Sequence, residues 1–204
     1  MKWRSTLAAL VVTLGFAPCV SAATLTVSGG IGGILTGATH VDVGGTFYDV
    51  VFISGTCAAV FTGCDDPADF TFTTQATAVA ASQALLDQVL INGALGNFDS
   101  DPFLTSGCTV NTFNLCAVVT PYAILAGPTL LAGAAFNGVN NDLDDSAGAI
   151  SLGISGSFGG VTTLAKWTPE PAAPSPVPEP ASLTLLGIGL TGISANRRRR
   201  RNTR

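Results

Sequence analysis

A short acidic segment, NGVNNDLDDSAG, carries the residues best suited to bind a metal ion. Asn140, Asp142 and Asp144 alternate within it, and Asp145 follows directly. Ca²⁺ prefers carboxylate and amide oxygens gathered on a flexible turn, and EF-hand loops begin with this alternation. The EF-hand pattern then fails, because Asp145 occupies its glycine position and Ser151 the position of its last glutamate. The segment predicts either a calcium site or solvated turns, since Asp and Asn favour turns without any ion. Calcium is the one cofactor that the sequence suggests.

Four of the five cysteines lie in the body of the chain: Cys57, Cys64, Cys108 and Cys116. In an exported protein an even number of cysteines indicates disulfides, and four cysteines allow three pairings. The first two and the last two are close in sequence, and small loops of this kind close readily. The sequence therefore favours Cys57–Cys64 and Cys108–Cys116. A metal site is the weaker alternative, because no C-x-x-C pair exists and His40 is not at ligand spacing to any cysteine.

Catalytic groups are scarce. His40 is the only histidine, so a serine triad would depend on it. It falls on the polar phase of a predicted strand beside Asp42, where we expect a surface histidine, and no G-x-S-x-G motif is present. The glycine-rich SGGIGGILTG lacks both the P-loop lysine and the full dinucleotide spacing, which indicates a flexible strand or turn. We assign no catalytic residue.

The charges are unevenly distributed along the chain. All 13 acidic residues lie between Thr24 and Pro180, where Lys166 is the only basic residue. This argues against nucleic-acid binding, which requires Lys and Arg to replace counterions at the phosphates. A strongly acidic body fits a well-solvated surface protein, a cationic partner or calcium-linked contacts.

The elements that position these residues are mostly strands. HVDVGGTFYDVVFI places alternating apolar residues on both sides of Gly44-Gly45, which predicts a hairpin with a two-residue turn. DFTFTT continues the alternation. Ile150, Leu152 and Ile154 alternate with small or polar residues, and a last strand is expected from Val161 to Trp167.

One segment, QATAVAASQALLDQVLING, has helical periodicity instead. Val79, Leu86 and Leu90 recur at helical spacing together with Leu85 and Val89, and Gly93 offers a C-terminal stop. We therefore expect a mainly β domain, antiparallel and β-sandwich-like, with one α-helix across a face or edge. An α+β arrangement is the alternative.

The N-terminus has the layout of a secretory signal peptide. Basic Lys2 and Arg4 precede an apolar stretch from Leu7 to Phe16, and small residues then suit cleavage by signal peptidase after Ala22 or Ala23. We assign residues 1–23 to this signal. A lipoprotein signal through Cys19 fits poorly, because Pro18 stands where a small residue is needed.

The C-terminus has the layout of a membrane anchor. The uncharged run from Ala181 to Ala195 would cover about 22 Å as a helix, short of the ~30 Å hydrocarbon core unless flanking residues or local thinning help. Arg197, Arg198, Arg199, Arg200 and Arg201 then form a stop, and basic residues stay on the cytoplasmic side, so the body would lie on the outer face of the inner membrane. An ordinary buried terminal helix is the alternative, but three glycines in the run and the arginine block disfavour it.

The proline-rich residues 168–177 predict an extended spacer between this tail, residues 178–204, and a folded extracytoplasmic domain at 24–167. The repeated triplet Pro169-Glu170-Pro171 has no adjacent apolar run and is expected to be spacer only.

The tail resembles a PEP-CTERM sorting signal in every part and in order. Val177, Pro178, Glu179 and Pro180 precede the apolar run, and the arginines end it. The resemblance implies recognition by an exosortase, a membrane-embedded cysteine protease or transpeptidase, with cleavage near the motif and transfer of the body toward the outer surface. These positions are then substrate for another enzyme. The body also resembles other PEP-CTERM proteins, whose activity is not defined.

Two classes of function follow. The first is a non-catalytic envelope or matrix protein linked to exopolysaccharide, biofilm or surface adhesion, as the resemblance implies. The second is an extracellular hydrolase that acts on polysaccharide through aspartates, although a carboxylate separation in space cannot be read from sequence. Only Trp167, Tyr48 and Tyr122 of the body supply Trp or Tyr side chains, and this scarcity weakens both the sugar-stacking and the enzyme interpretations.

Overall fold

The computed structural model describes residues 22–125, 129–139, 145–153 and 157–171. The strands of this part are β1 Thr24–Ser28, β2 Ile34–Val43, β3 Thr46–Ile53, β4 Gly55–Thr56, β5 Asn92–Gly93, β6 Gly96–Asn97, β7 Leu115–Leu125, β8 Thr129–Gly138, β9 Ser146–Gly153, β10 Ser157–Phe158 and β11 Thr162–Pro169. Its α-helices are α1 Cys57–Val60 and α2 Gln75–Gln88, and short 3₁₀ turns cover Pro67–Asp69 and Pro102–Leu104.

Seven strands form one sheet in the order β1-β2-β3-β11-β7-β8-β9, and β4 with β10 and β5 with β6 form two small ribbons. Neighbours in the large sheet run antiparallel, apart from β11 and β7, which run parallel. The predicted mainly β fold with one main helix is confirmed. The described strands build one large sheet with a helix on its face, which corresponds to the α+β arrangement.

The β2–β3 hairpin forms at the predicted glycine pair. Gly44 and Gly45 turn the chain with φ of 63° and 88°, values that a residue without Cβ adopts readily. The Asp42 carboxylate accepts a hydrogen bond of 2.6 Å from the Gly45 amide. Local turn chemistry therefore fixes this hairpin.

Helix α2 lies across β7, β8 and β9 and also contacts β2. Thr74 caps its first turn by accepting a hydrogen bond from the Thr77 amide. Its buried residues are mostly small: Ala78, Ala81, Ser82 and Ala84, together with the larger Leu85. A Cβ added at Gly133 of β8 would lie 2.5 Å from the Ala78 carbonyl oxygen. Helix and sheet therefore approach closely because the residues at their contact are small.

The helix ends before the predicted stop. Its last helical residue is Gln88, and Gly93 lies in β5. The Gln88 amide side chain accepts from the Asp42 amide at 3.0 Å and donates to the Asp42 carbonyl at 2.8 Å. This pair of hydrogen bonds attaches the end of α2 to β2.

Apolar residues pack on both faces of the large sheet. Val118 belongs to the cluster beneath α2, whereas its neighbour Val119 belongs to a second cluster with α1. Leu164 and Ala165 divide between the clusters in the same way. This alternation is the period of two expected of a strand that is buried on both sides.

The strand predicted at DFTFTT is wrong. Asp69 ends a 3₁₀ turn, and residues 70–74 are irregular. The Thr71 hydroxyl donates to the Trp167 carbonyl at 2.6 Å, and Thr74 caps α2. Threonine side chains here bond to the backbone, which competes with strand pairing.

The described residues contain no helix long and apolar enough to cross a membrane. The expected apolar helix within 181–195, the sorting motif and the arginine block lie outside the described residues, as does nearly all of the expected signal at 1–23. Strand β11 continues through Thr168 and Pro169, where the sequence placed the start of the spacer.

Candidate functional site

A groove of about 410 Å³ opens between the β2–β3 hairpin and the first turns of α2. The hairpin contributes Val43, Gly44, Thr46 and Tyr48, and the opposite wall is formed by Thr71, Phe72, Thr73, Thr74, Thr77 and Ala80. No charged side chain lines it. Because DFTFTT is irregular rather than a strand, its threonines reach the groove instead of a sheet neighbour.

Some of the hydroxyl groups that line the groove are hydrogen-bonded within the protein, and others are not. Those of Thr71, Thr74 and Thr77 are held by hydrogen bonds, and the last two lie 2.8 Å from each other. Among the described residues, the hydroxyls of Thr46, Tyr48 and Thr73 have no side-chain hydrogen bond. These three groups can each donate to and accept from a bound molecule.

An aromatic cluster supports the floor of the groove. The Tyr48 ring lies 5.1 Å from Phe72 and 6.2 Å from Trp167, and Phe72 lies 5.5 Å from Trp167. The Trp167 indole donates to the Thr120 hydroxyl at 3.1 Å. Phe72 and Trp167 are about 5% exposed, so Tyr48 is the ring available to a ligand. Neutral hydroxyls beside a partly exposed aromatic ring suit a neutral sugar better than an ion.

His40 and Glu170 form a second polar feature at the end of β11. His40 Nδ1 lies 2.9 Å from Glu170 Oε2, and the imidazole stacks on the Phe47 ring at 3.9 Å. The Glu170 amide also donates to the Phe47 carbonyl at 3.0 Å. The Pro169-Glu170 part of the first Pro-Glu-Pro triplet is therefore bonded to the folded body.

The contact between His40 and Glu170 shifts the pKa of the carboxylate, and the backbone of His40 has an uncommon conformation. The pKa of Glu170 is lowered mainly because its carboxylate accepts a hydrogen bond from His40. His40 has φ of 61°, at an irregularity in the β2–β3 register between Ala38 and Val41. This conformation is uncommon for a residue with a side chain. The observed side-chain partners of His40 are the Glu170 carboxylate, the Asp49 carboxylate and the Phe47 ring, and no hydroxyl or thiol is among them.

Both disulfides join the cysteines that the short loops favoured. Cys57 pairs with Cys64 and Cys108 pairs with Cys116, each with Cα atoms 5.7 Å apart. The first closes a loop that carries α1 over the second apolar cluster. Lys166 donates from Nζ to the Val60 carbonyl at the end of α1, so the single basic residue of the body also holds this loop.

The expected calcium ligands are only partly described. Asn140, Asp142 and Asp144 lie outside the described residues. Asp145 is described, and its carboxylate accepts a hydrogen bond from the Gly138 amide at 2.9 Å. The described residues bring together no group of three His, Cys, Asp or Glu side chains that could hold a metal ion. Calcium binding by this segment remains a prediction.

Several aspartate carboxylates accept hydrogen bonds from backbone amides. The carboxylates of Asp49, Asp66 and Asp69 accept hydrogen bonds from the amides of His40, Ala68 and Asp66 respectively. A hydrolase of the predicted kind needs two carboxylates facing each other across a cleft. The groove between the β2–β3 hairpin and α2 is lined by no carboxylate, so it gives the hydrolase hypothesis no support.

Comparison with known proteins matched one part of the chain. The family described as "PEP-CTERM protein-sorting motif" matches residues 176–201. No curated protein and no solved structure matched the chain. The matched residues contain the Pro178-Glu179-Pro180 triplet, the apolar run and the arginines.

The family match thus covers the sorting signal in the tail, whereas the groove lies in the folded body of the chain. The motif marks an exported protein that is anchored in the membrane before processing, and an exosortase is the implied processing enzyme. This chain carries the PEP-CTERM sorting motif of an exosortase substrate.

Proposed function

We propose that this chain is a non-catalytic protein of the cell envelope or extracellular matrix that associates with exopolysaccharide after exosortase processing. The observation that carries the proposal is the sorting-motif match over residues 176–201. The uncharged, hydroxyl-lined groove supports the association with polysaccharide, because its free groups are those that bind neutral sugar. Biofilm formation and surface adhesion are the processes that such a protein would serve.

The sorting part of the proposal predicts a specific effect of Glu179→Ala. Intact mass and membrane fractionation should show that the native chain loses its arginine tail and leaves the inner membrane, whereas the variant retains both. Glu170→Ala is the matched control, because it changes the first Pro-Glu-Pro triplet in the same way. This control should be processed normally, since its triplet has no adjacent apolar run.

Two other outcomes would contradict parts of this proposal. If the native chain and Glu179→Ala both keep the tail and stay in the membrane, exosortase sorting is wrong. The chain is then a permanently anchored domain. If both variants fail to be processed, processing also depends on Glu170, and the expectation that the first triplet is spacer only is wrong.

The groove predicts weak binding of a neutral oligosaccharide. With cellohexaose and maltohexaose as probes, chemical-shift changes in NMR spectra should concentrate on the hairpin and on residues 71–77. Tyr48→Phe and Thr73→Val each remove one free hydroxyl while keeping the shape of the side chain. Loss of one hydrogen bond should cost about 1 kcal/mol, or roughly a fivefold increase in Kd.

A control separates the groove from the rest of the surface. Thr112→Val changes an exposed threonine that does not line the groove, and it should leave Kd unchanged. Equal effects of all three variants, or shifts spread evenly over the protein, would contradict the groove as a saccharide site. Failure of this experiment leaves the sorting prediction intact, because the tail variant tests that separately.

A further inference from the structure

Strand β9 forms one edge of the large sheet. It pairs with β8 through eight consecutive residue pairs, from Thr129–Gly153 to Phe136–Ser146, without a register shift. Within the described residues no strand pairs with its other side. The outward backbone N–H and C=O groups of a regular strand of this length are therefore available to another strand.

This edge lacks the features that usually prevent strand pairing. Its sequence, SAGAISLG, contains no charged residue and no proline. The opposite edge differs, because β1 has only five residues and a register shift between Thr26 and Val27. Short length and irregularity protect an edge, whereas a long and regular uncharged edge invites pairing. Of the two edges that the described strands form, β9 is the better suited to a partner strand.

The side chains of β9 indicate what a partner must supply. Ile150 and Leu152 pack against the second apolar cluster but remain only partly buried. Gly148 lies on the same face of the strand, since residues two apart share a face. A suitable partner therefore carries no charge and places an apolar or small residue opposite each of these positions.

We propose that β9 pairs antiparallel with β9 of a second copy of this chain, about a two-fold axis at Ile150. Residues directly opposite in an antiparallel pair point to the same face. This register places Ile150 opposite Ile150, and the large Leu152 opposite the small Gly148. Ala149 and Ser151 meet on the other face. The strand is thus complementary to itself, as a two-fold interface requires.

Helix α2 leaves room for this arrangement. It packs more extensively on β8 than on β9, so it lies mainly one strand away from the edge. Two β8 strands in the joined sheet would be about 14 Å apart, three strand spacings. Packed helices need 8–10 Å between their axes, and the two copies of α2 therefore do not collide.

Charge also favours a second copy at this edge. The body is acidic, with Lys166 as its single basic residue between Thr24 and Pro180, and two copies repel each other over most surfaces. Strand β9 itself carries no charge, so pairing here places no acidic side chain of one strand against the other. The joined sheets would continue from one copy to the next, and partly exposed Ile150 and Leu152 would become buried.

Disulfide cross-linking of the full chain tests the register. Ile150→Cys places two thiols at the axis, where Cβ atoms of opposite residues lie about 4.5–5.5 Å apart. Ser146→Cys is the matched control on the same strand and face. In the proposed register its two copies are roughly 27 Å apart, eight positions at about 3.4 Å each. Mild oxidation should give disulfide-linked dimer from Ile150→Cys and monomer from Ser146→Cys.

A second variant shows whether the uncharged edge is needed. Ser151→Asp, added to Ile150→Cys, should abolish the cross-link, because it places a carboxylate on the edge of each copy. Circular dichroism checks that this variant is folded. Equal cross-linking at positions 146 and 150, or a monomeric Ile150→Cys chain that fails to cross-link, would overturn the proposal. Persistence of the cross-link in folded Ser151→Asp would also overturn it, since pairing would not depend on the edge.

Discussion

His40 shows how the surroundings of one side chain decide its role. Its position beside Asp42 predicts a surface histidine, and its side chain is in fact 31% exposed. Its contacts come from elsewhere in the chain, because Phe47 stacks on the ring and Glu170 pairs with it across 130 positions of sequence. The sequence assigned Glu170 to a spacer, since nothing near it in sequence shows that it bonds to the body.

This pair predicts a pH dependence of stability. The folded-state pKa of Glu170 is below its ordinary value of 4.5, so the carboxylate stabilises the folded state above that value. This contribution is lost as the pH falls through the lowered pKa, where Glu170 becomes protonated in the folded state. Urea unfolding at pH 7 should find Glu170→Gln less stable than the native chain, and the difference should shrink as the pH falls below 4.5.

The partner residue supplies the control. His40→Ala removes the same hydrogen bond, so adding it to Glu170→Gln should cost less than the sum of the two single changes. A difference between native chain and Glu170→Gln that stays constant from pH 7 to well below 4.5 would show that the pair does not shift the titration of Glu170. Additive effects would show that the two residues act independently.

Among the elements, those with strong local signals were predictable. The glycine pair gave the β2–β3 hairpin, and alternation gave the second half of β9 and most of β11. The alternation at DFTFTT led to a wrong strand prediction, because Thr71 and Thr74 bond to backbone groups of β11 and α2 and the segment does not enter the sheet. The groove was missed for the same reason, although three of its threonines stand in that segment.

Strands β7 and β8 were not predicted at all. Pro121 lies inside β7, where proline argues against a central strand, and the β7–β8 register shifts between Pro121 and Ala123 to accommodate it. Strand β8 is rich in Gly and Ala, which are depleted in strands. These small residues serve the contact with α2, where Gly133 meets Ala78. That reason for their presence exists only in the folded arrangement.

At the scale of the whole molecule, the large sheet lies between two layers that differ in their amount of regular secondary structure. On one face lies α2, a helix of 14 residues packed along several strands. On the other lies α1, only four residues long, with loops held by the Cys57–Cys64 disulfide and by Lys166. Because the second layer has little secondary structure of its own, its order depends on the Cys57–Cys64 disulfide. The pairing itself agrees with export, because disulfides persist in oxidising compartments.

The two layers should therefore respond differently to loss of a disulfide. Replacing Cys57 and Cys64 by Ala should lower the free energy of unfolding by about 2–3 kcal/mol, as expected for a loop of this size. Amide hydrogen exchange should rise in residues 55–72, while α2 and β8 stay protected until global unfolding. The matched pair Cys108→Ala and Cys116→Ala should instead raise exchange near the start of β7. Equal exchange over both faces in either variant would contradict the idea that the disulfide-held layer opens independently.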